Sequence, residues 1–185
     1  MSVFTNSAAS APEHAAQYVA ALLDLLGNRN PLDVLTQTAR VLDEALQGLS
    51  VQQLKEPEAD GKWSVTDVLQ HLADSELVWG FRLRMTLAHE RPPLIGYDQD
   101  LWASRLHYRE ADPQQALRQF TVFRESNLNL LGRASKADLR RVAVHAERGE
   151  QTLEEMVRLC AGHDLVHINQ VARIKATLNK FERAV

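Results

Sequence analysis

Two histidines four residues apart, His163 and His167 in A-G-H-D-L-V-H-I-N-Q, can grip a metal ion if that stretch is helical. At this spacing both imidazoles leave one face of a helix, about one turn apart. Histidine is costly to bury without a partner, so a pair on an apolar stripe calls for a bound ligand. His71 stands in the apolar pattern of an earlier stretch, beside Val68 and Leu72. Two helices can therefore place His71, His163 and His167 around one divalent ion. Three neutral imidazoles leave coordination positions for water or substrate, as catalytic rather than closed structural sites do. Nitrogen ligation suits zinc, nickel, cobalt or iron, with zinc and nickel the first choices. Ligands must be deprotonated, so binding should weaken as pH falls towards the ordinary histidine pKa of about 6.5.

Rival readings of these histidines fail on spacing. H-D-L-V-H mimics the H-E-x-x-H zinc-protease motif, but its acid is the shorter aspartate and no histidine follows His167. A di-iron carboxylate bundle needs Glu-x-x-His pairs, and no glutamate lies three residues before any of the three. His89 falls on the same predicted helix as His71, about 27 Å along it, too far to share an ion. His14, His107 and His145 are expected in solvated segments, with His145 alone able to approach the site from its loop.

The elements that must position these residues are marked by four helix starts. Asn30-Pro31 and Asp112-Pro113 each offer a cap followed by proline, and Ser64-Val65-Thr66-Asp67 and Thr152-Leu153-Glu154-Glu155 read as capping boxes. Each precedes apolar residues at spacings of three and four. The runs end at Gly48, Arg91-Pro92-Pro93, Gly132 and about Leu178, and a short helix over residues 13–26 is expected before them. Almost nothing alternates with period two, so no sheet is expected. The fold class is all-α, a four-helix bundle with long connecting loops. The domain reading is an N-terminal segment over 1–30, one metal-binding helical bundle over 31–180 and a tail over 181–185. The connections over 92–111 and 134–151 exceed the two to eight residues that usually join bundle helices. They either roof a pocket or simply cross the surface.

The 185-residue chain carries a net charge of -3 and no block of lysine and arginine, which argues against nucleic-acid binding. Its start lacks a basic segment followed by an apolar one, and no run approaches the roughly 20 apolar residues of a membrane span. The single Cys160 sits in an apolar helical pattern and reads as a core residue. A cytoplasmic protein with a small-molecule substrate and no membrane partner is expected.

Three segments together resemble the DinB-like, or DinB/YfiT, superfamily: K-W-S-V-T-D-V-L-Q-H-L-A-D-S-E over 62–76, G-Y-D-Q-D-L-W over 96–102, and A-G-H-D-L-V-H-I-N-Q over 161–170. The likeness covers about residues 31–178. It implies a four-helix bundle holding a metal through three histidines, here His71, His163 and His167, and a homodimer. Characterised members include bacillithiol S-transferases and a mycothiol-dependent maleylpyruvate isomerase, so the resemblance implies a low-molecular-weight thiol as cosubstrate.

Around the ligands, Asp74, Glu76 and Asp164 are candidates to accept an imidazole N–H and so orient a ligand. Tyr97, Trp102 and Arg148 are candidates for the substrate pocket, and Arg82, Arg105 and Arg148 could bind carboxylates. Catalytic residues beyond the metal ligands are not identified. The first functional expectation is a metal-dependent thiol S-transferase. The alternatives are a metal-dependent hydrolase and a non-enzymatic, metal-binding stress-response protein, in which a fourth protein ligand would close the shell.

Overall fold

The computed structural model describes the backbone of residues 12–182 and the side chains of residues 15–178. The side chain of His14 and the two chain ends lie outside the described residues. The elements run α1 (Pro12–Leu26), α2 (Pro31–Leu46), α3 (Val51–Lys55), α4 (Val65–Ala88), β1 (Pro93–Leu94), α5 (Gln99–Arg105), a single 3-10 turn (Tyr108–Glu110), α6 (Pro113–Leu131), α7 (Lys136–Leu139), β2 (Val142–His145), β3 (Gly149–Thr152) and α8 (Leu153–Glu182).

The four helix starts are built as their residues dictate. Asn30 and Asp112 each accept backbone N–H bonds ahead of a first-turn proline. Ser64 and Asp67 form a reciprocal box at the head of α4, and Thr152 and Glu155 do the same at α8. Gly27 and Gly48 follow their helices with φ of 57° and 82°, the left-handed turn that glycine adopts without strain.

The principal packing partners are α4 with α6 and α8, and α2 with α6 and α8, while α1 lies along α8. Around the bundle the order is thus α2, α6, α4, α8. The chain crosses the bundle diagonally from α2 to α4 and again from α6 to α8, which is why those connections are long. Gly162 lets α1 approach α8 closely: a Cβ there would lie 2.4 Å from the Leu22 carbonyl oxygen.

One expectation is corrected. The connections on either side of α6 contribute a small sheet in the order β1-β2-β3, with β1 and β2 parallel and β2 and β3 antiparallel in the register His145↔Gly149. Strands of two to four residues are too short to show period-two alternation in the sequence. The side-chain alternation of a strand turns Ala143 and His145 inwards together, so His145 is 1% exposed rather than solvated.

The core falls into two apolar clusters. One gathers Leu42, Val68, Leu69, Leu72, Phe120 and Ile174, and the other Leu22, Leu35, Trp79, Leu83, Met156 and Cys160. Between them each bundle helix contributes polar side chains: Thr38 from α2, Ser75 and Glu76 from α4, Arg124 and Asn127 from α6, and His163, Asp164 and His167 from α8, all buried. Apolar burial stabilises the two ends of the bundle, and the polar layer between them must satisfy itself.

Candidate metal centre

His71 on α4 and His163 and His167 on α8 meet inside this layer. Their Nε2 atoms converge, with His163 Nε2 3.1 Å from that of His71 and 3.2 Å from that of His167. The three offer ligand atoms all within 4.8 Å of one another, and among the described residues no fourth histidine, cysteine or acid joins them. Hydrogen bonding does not explain the convergence. A neutral imidazole nitrogen has either one N–H or one lone pair, so His163 Nε2 can serve only one of its two neighbours. A single ion does explain it. At metal–nitrogen distances of about 2.0–2.1 Å, nitrogens 3.1–3.2 Å apart subtend roughly 100° at the ion, within the range of tetrahedral and octahedral sites. The residues therefore fit a divalent metal.

Burial keeps the cluster neutral. Desolvation, and then the neighbouring His167, push the His71 pKa well below its ordinary value. His163 is likewise driven well below it, first by burial and then by His167 and His71. Burial lowers His167 to about 4, partly opposed by a hydrogen bond to Gln170. Burial thus favours the deprotonated, ligating form of all three rings below the ordinary histidine pKa.

The orienting contacts differ from those expected. His167 Nδ1 donates to Gln170 Oε1 at 2.8 Å, leaving its Nε2 free for an ion. His71 Nδ1 is buried without a partner. Among the described residues, none of the three acids hydrogen-bonds an imidazole. Asp74 accepts from Tyr108 Oη at 2.6 Å and from Gln70 at 3.3 Å. Glu76 accepts from Arg124 at 2.6 and 2.9 Å and from Asn127 at 2.8 Å. Asp164 accepts from Arg124 at 2.6 and 3.0 Å and from Thr38 at 2.7 Å. Each acid is instead taken up by other partners: Asp74, on the same side of α4 as His71, is held by Tyr108 and Gln70, while Glu76 and Asp164 turn towards Arg124.

Arg124 ties α6 to Glu76 of α4, to Asp164 of α8 and to the Leu35 carbonyl of α2. Burial alone would lower its pKa, but Asp164 and Glu76 outweigh that and hold it well above its ordinary value. The sequence reading passed over this residue. Its signal was a charge at the four-residue spacing from Phe120 on the buried face of α6.

Cavities flank the histidines on two sides. On the His167 side lies an open cleft of about 810 Å³, lined also by Trp63, Gln99, Ser104, Arg109, Gln170 and Arg173. Trp63 stacks on His167 with ring centroids 6.4 Å apart and lies 5.0 Å from the His71 ring. On the His163 side a smaller cavity is bounded by Tyr18, Ser75, Arg82, Tyr97, His145, Glu147 and Arg148. There the Ser75 hydroxyl lies 2.9 Å from Tyr97 Oη and 3.3 Å from His71 Nε2, beside the point where the imidazoles converge. Trp102 backs Tyr97 at 4.4 Å between ring centroids. Arg105 is exposed and lines neither cavity, whereas Arg82 and Arg148 both line the smaller one. Trp63, Ser75 and Gln170 were not singled out as site residues from sequence, whereas His145 was expected to be able to approach from its loop. Ser75 and Gln170 were detectable, at four residues from His71 and three from His167.

Comparison with known proteins agrees with the helical-bundle fold. The pattern of the DinB superfamily matches residues 35–171. A Bacillus subtilis protein named "Putative metal-dependent hydrolase YfiT" is 28% identical over 144 residues, covering 77% of this chain and 81% of the relative. A Bacillus licheniformis relative bearing the same designation is 29% identical over 143 residues, covering 77% and 80%. The solved structure of YfiT from Bacillus subtilis, described as "a probable metal-dependent hydrolase with an unusual four-helix bundle topology", superposes with a TM-score of 0.70 at 27% identity, covering 77% of this chain and 84% of that one. Among the described residues no helix is long and apolar enough to cross a membrane.

Proposed function

For this chain, which belongs to the DinB superfamily, we propose a metal-dependent hydrolase acting on a small molecule, with the ion held by His71, His163 and His167. The observation that carries the reading is the convergence of three buried, neutral imidazoles, joined among the described residues by no fourth histidine, cysteine or acid, with a cavity on either side. The names of the relatives support hydrolysis. The thiol transfer placed first on the sequence finds no such support, and the hydrolase takes its place.

A divalent ion held by His71, His163 and His167 would polarise an oxygen and lower the pKa of water bound to it. The protein supplies the rest. Gln170 fixes the His167 ring so that Nε2 faces the site. The Ser75 and Tyr97 hydroxyls stand next to the ligand atoms, able to hydrogen-bond a reacting oxygen and to relay a proton between them. Three hydrogen bonds, two from Arg124 and one from Asn127, hold Glu76 away from the imidazoles, and Arg124 and Thr38 do the same for Asp164. The cleft beside Trp63 has the size of an ordinary small-molecule site, in the range of about 300–1,000 Å³. Zinc and nickel both suit three imidazoles, and a homodimer belongs to the same proposal on the strength of the family resemblance.

The test is metal analysis of the purified protein together with parallel screens for hydrolysis of small esters and amides and for thiol transfer. Hydrolysis that disappears on chelation and returns with zinc or nickel is the expected result. Thiol transfer without hydrolysis would overturn the assignment.

A further inference from the structure

The small cavity on the His163 side contains hydrogen-bond donors that no described residue accepts. Glu147 N–H donates to His145 Nδ1 at 3.2 Å. A ring nitrogen that accepts carries no proton, so the single proton of the neutral ring sits on Nε2. That Nε2–H is buried and has no partner. Arg148 Nη2 is buried without a partner as well, although its Nε reaches Gln151 at 3.2 Å. Arg82 spends one nitrogen on the Ile95 carbonyl at 2.7 Å, and among the described residues neither Arg82 nor Arg148 has a carboxylate within salt-bridge distance. Buried donors left unpaired are costly, and such sites are ordinarily completed by a ligand or water.

Charge selects the ligand. Burial, and then Arg148 and Arg82, lower the His145 pKa to about 3, so this ring is neutral. The cavity lining therefore holds two guanidiniums against the single carboxylate of Glu147, which leaves one positive charge uncompensated. Arginine presents planar paired donors matched to a carboxylate. Tyr18 and Tyr97 add hydroxyls whose pKa burial raises, so they remain protonated donors. His163 forms part of the same lining, so a molecule anchored here extends towards the imidazole cluster.

The geometry points to an anion subsite in which Arg82, Arg148 and the His145 Nε2–H bind the carboxylate of a small-molecule substrate and aim its reacting bond at the three-histidine centre. The subsite rests on the hydrolase reading for its purpose but not for its binding chemistry. It is supplied by three separate elements, α4, β2 and the turn between β2 and β3, so it exists only once the small sheet is docked on the bundle.

The test uses the full chain stripped of metal by a chelator, so that added anions cannot ligate an ion. Acetate, its neutral isostere acetamide, and inorganic phosphate are titrated while the His145 side-chain resonance is followed by nitrogen–proton NMR, assigned with His145→Gln. Acetate should shift that resonance saturably, acetamide should not, and Arg148→Gln should weaken acetate binding about 10-fold or more, the usual cost of a charge-assisted bond. Arg148→Lys keeps the charge but not the paired donors, and should retain weaker binding than the wild type. An equal response to acetamide, no response to acetate, or unchanged affinity in Arg148→Gln would overturn the subsite. Phosphate binding more tightly than acetate would overturn the carboxylate assignment. The hydrolase reading fails separately: saturable acetate binding in a protein that, once reloaded with metal, hydrolyses nothing leaves the subsite standing. A metal-dependent hydrolase indifferent to a substrate carboxylate has the opposite meaning.

Discussion

His163 and Asp164 are neighbours on α8, yet they belong to two polar clusters of opposite character. Asp164 enters a closed ion network in which Arg124 spends its donors on Glu76, Asp164 and the Leu35 carbonyl, with Thr38 and Asn127 satisfying remaining acceptors. His163 enters a group of three imidazoles whose ligand atoms crowd together without satisfying one another, next to open cavities. Both clusters are buried, and both interrupt the apolar core at the same level. The difference lies in completion: a network with every group paired holds helices together, whereas one left unpaired is prepared for something from outside. Burial and charge alone would not separate a structural cluster from a functional one here.

The largest effect should come from opening the closed network. Arg124→Ala leaves two carboxylates buried without their cation and should cost roughly 3–5 kcal/mol in a denaturant titration. His163→Ala in the metal-free protein should cost far less, because it removes a side chain that has no counter-charge to strand. If the two variants were equally destabilised, the contrast between the clusters would collapse.

Metal content should separate them in the other direction. The double variant His163→Ala/His167→Ala should drop from about one divalent ion per chain to almost none by elemental analysis, since one imidazole cannot hold the ion. Full metal content in that variant would dismiss the histidine site.

Acid should act mainly through the open cluster. Above pH 6.5 the histidines are neutral in both folded and unfolded chains and contribute no pH dependence. As pH falls from 6.5 towards 4, the unfolded chain takes up a proton that folded His167, at about 4, still refuses, so stability is lost. At pH 5 His167 alone should account for about 2 kcal/mol, and His71 and His163, also held well below their ordinary value, add to the loss. His167→Ala should flatten the stability profile of the metal-free protein between pH 7 and 5. An unchanged slope would mean the ring is not buried in neutral form.

Smaller effects probe the contacts around the ligands. Gln170→Leu removes the acceptor of His167 Nδ1 and should weaken metal affinity about 10–100-fold, measured by competition with a chelating dye. Smallest is Asp74→Asn, which weakens the bond from Tyr108 and should cost about 1 kcal/mol while leaving metal affinity unaltered. A clear loss of metal affinity in that variant would return Asp74 to the role its proximity in sequence suggested.

The sequence by itself determined the four long helices, the short helix before them and the three histidines. Each of these is written locally: a cap and a period of three to four define a helix, and a spacing of four puts His163 and His167 on one face. Local pattern also placed His71 on the inward stripe of α4. The partners of the acids were a different matter. Asp74, Glu76 and Asp164 lie close to the ligands in sequence, but the partners that hold them include Tyr108, Asn127, Arg124 and Thr38, between 34 and 126 residues away. The two diagonal crossings, the pairing of β1 with β2 and the burial of His145 depend likewise on segments far apart in the chain. A helix face can be read from a few residues because its geometry repeats. Which side chain meets that face, and whether a buried polar group finds its partner or is left waiting for a ligand, is decided only when the helices pack.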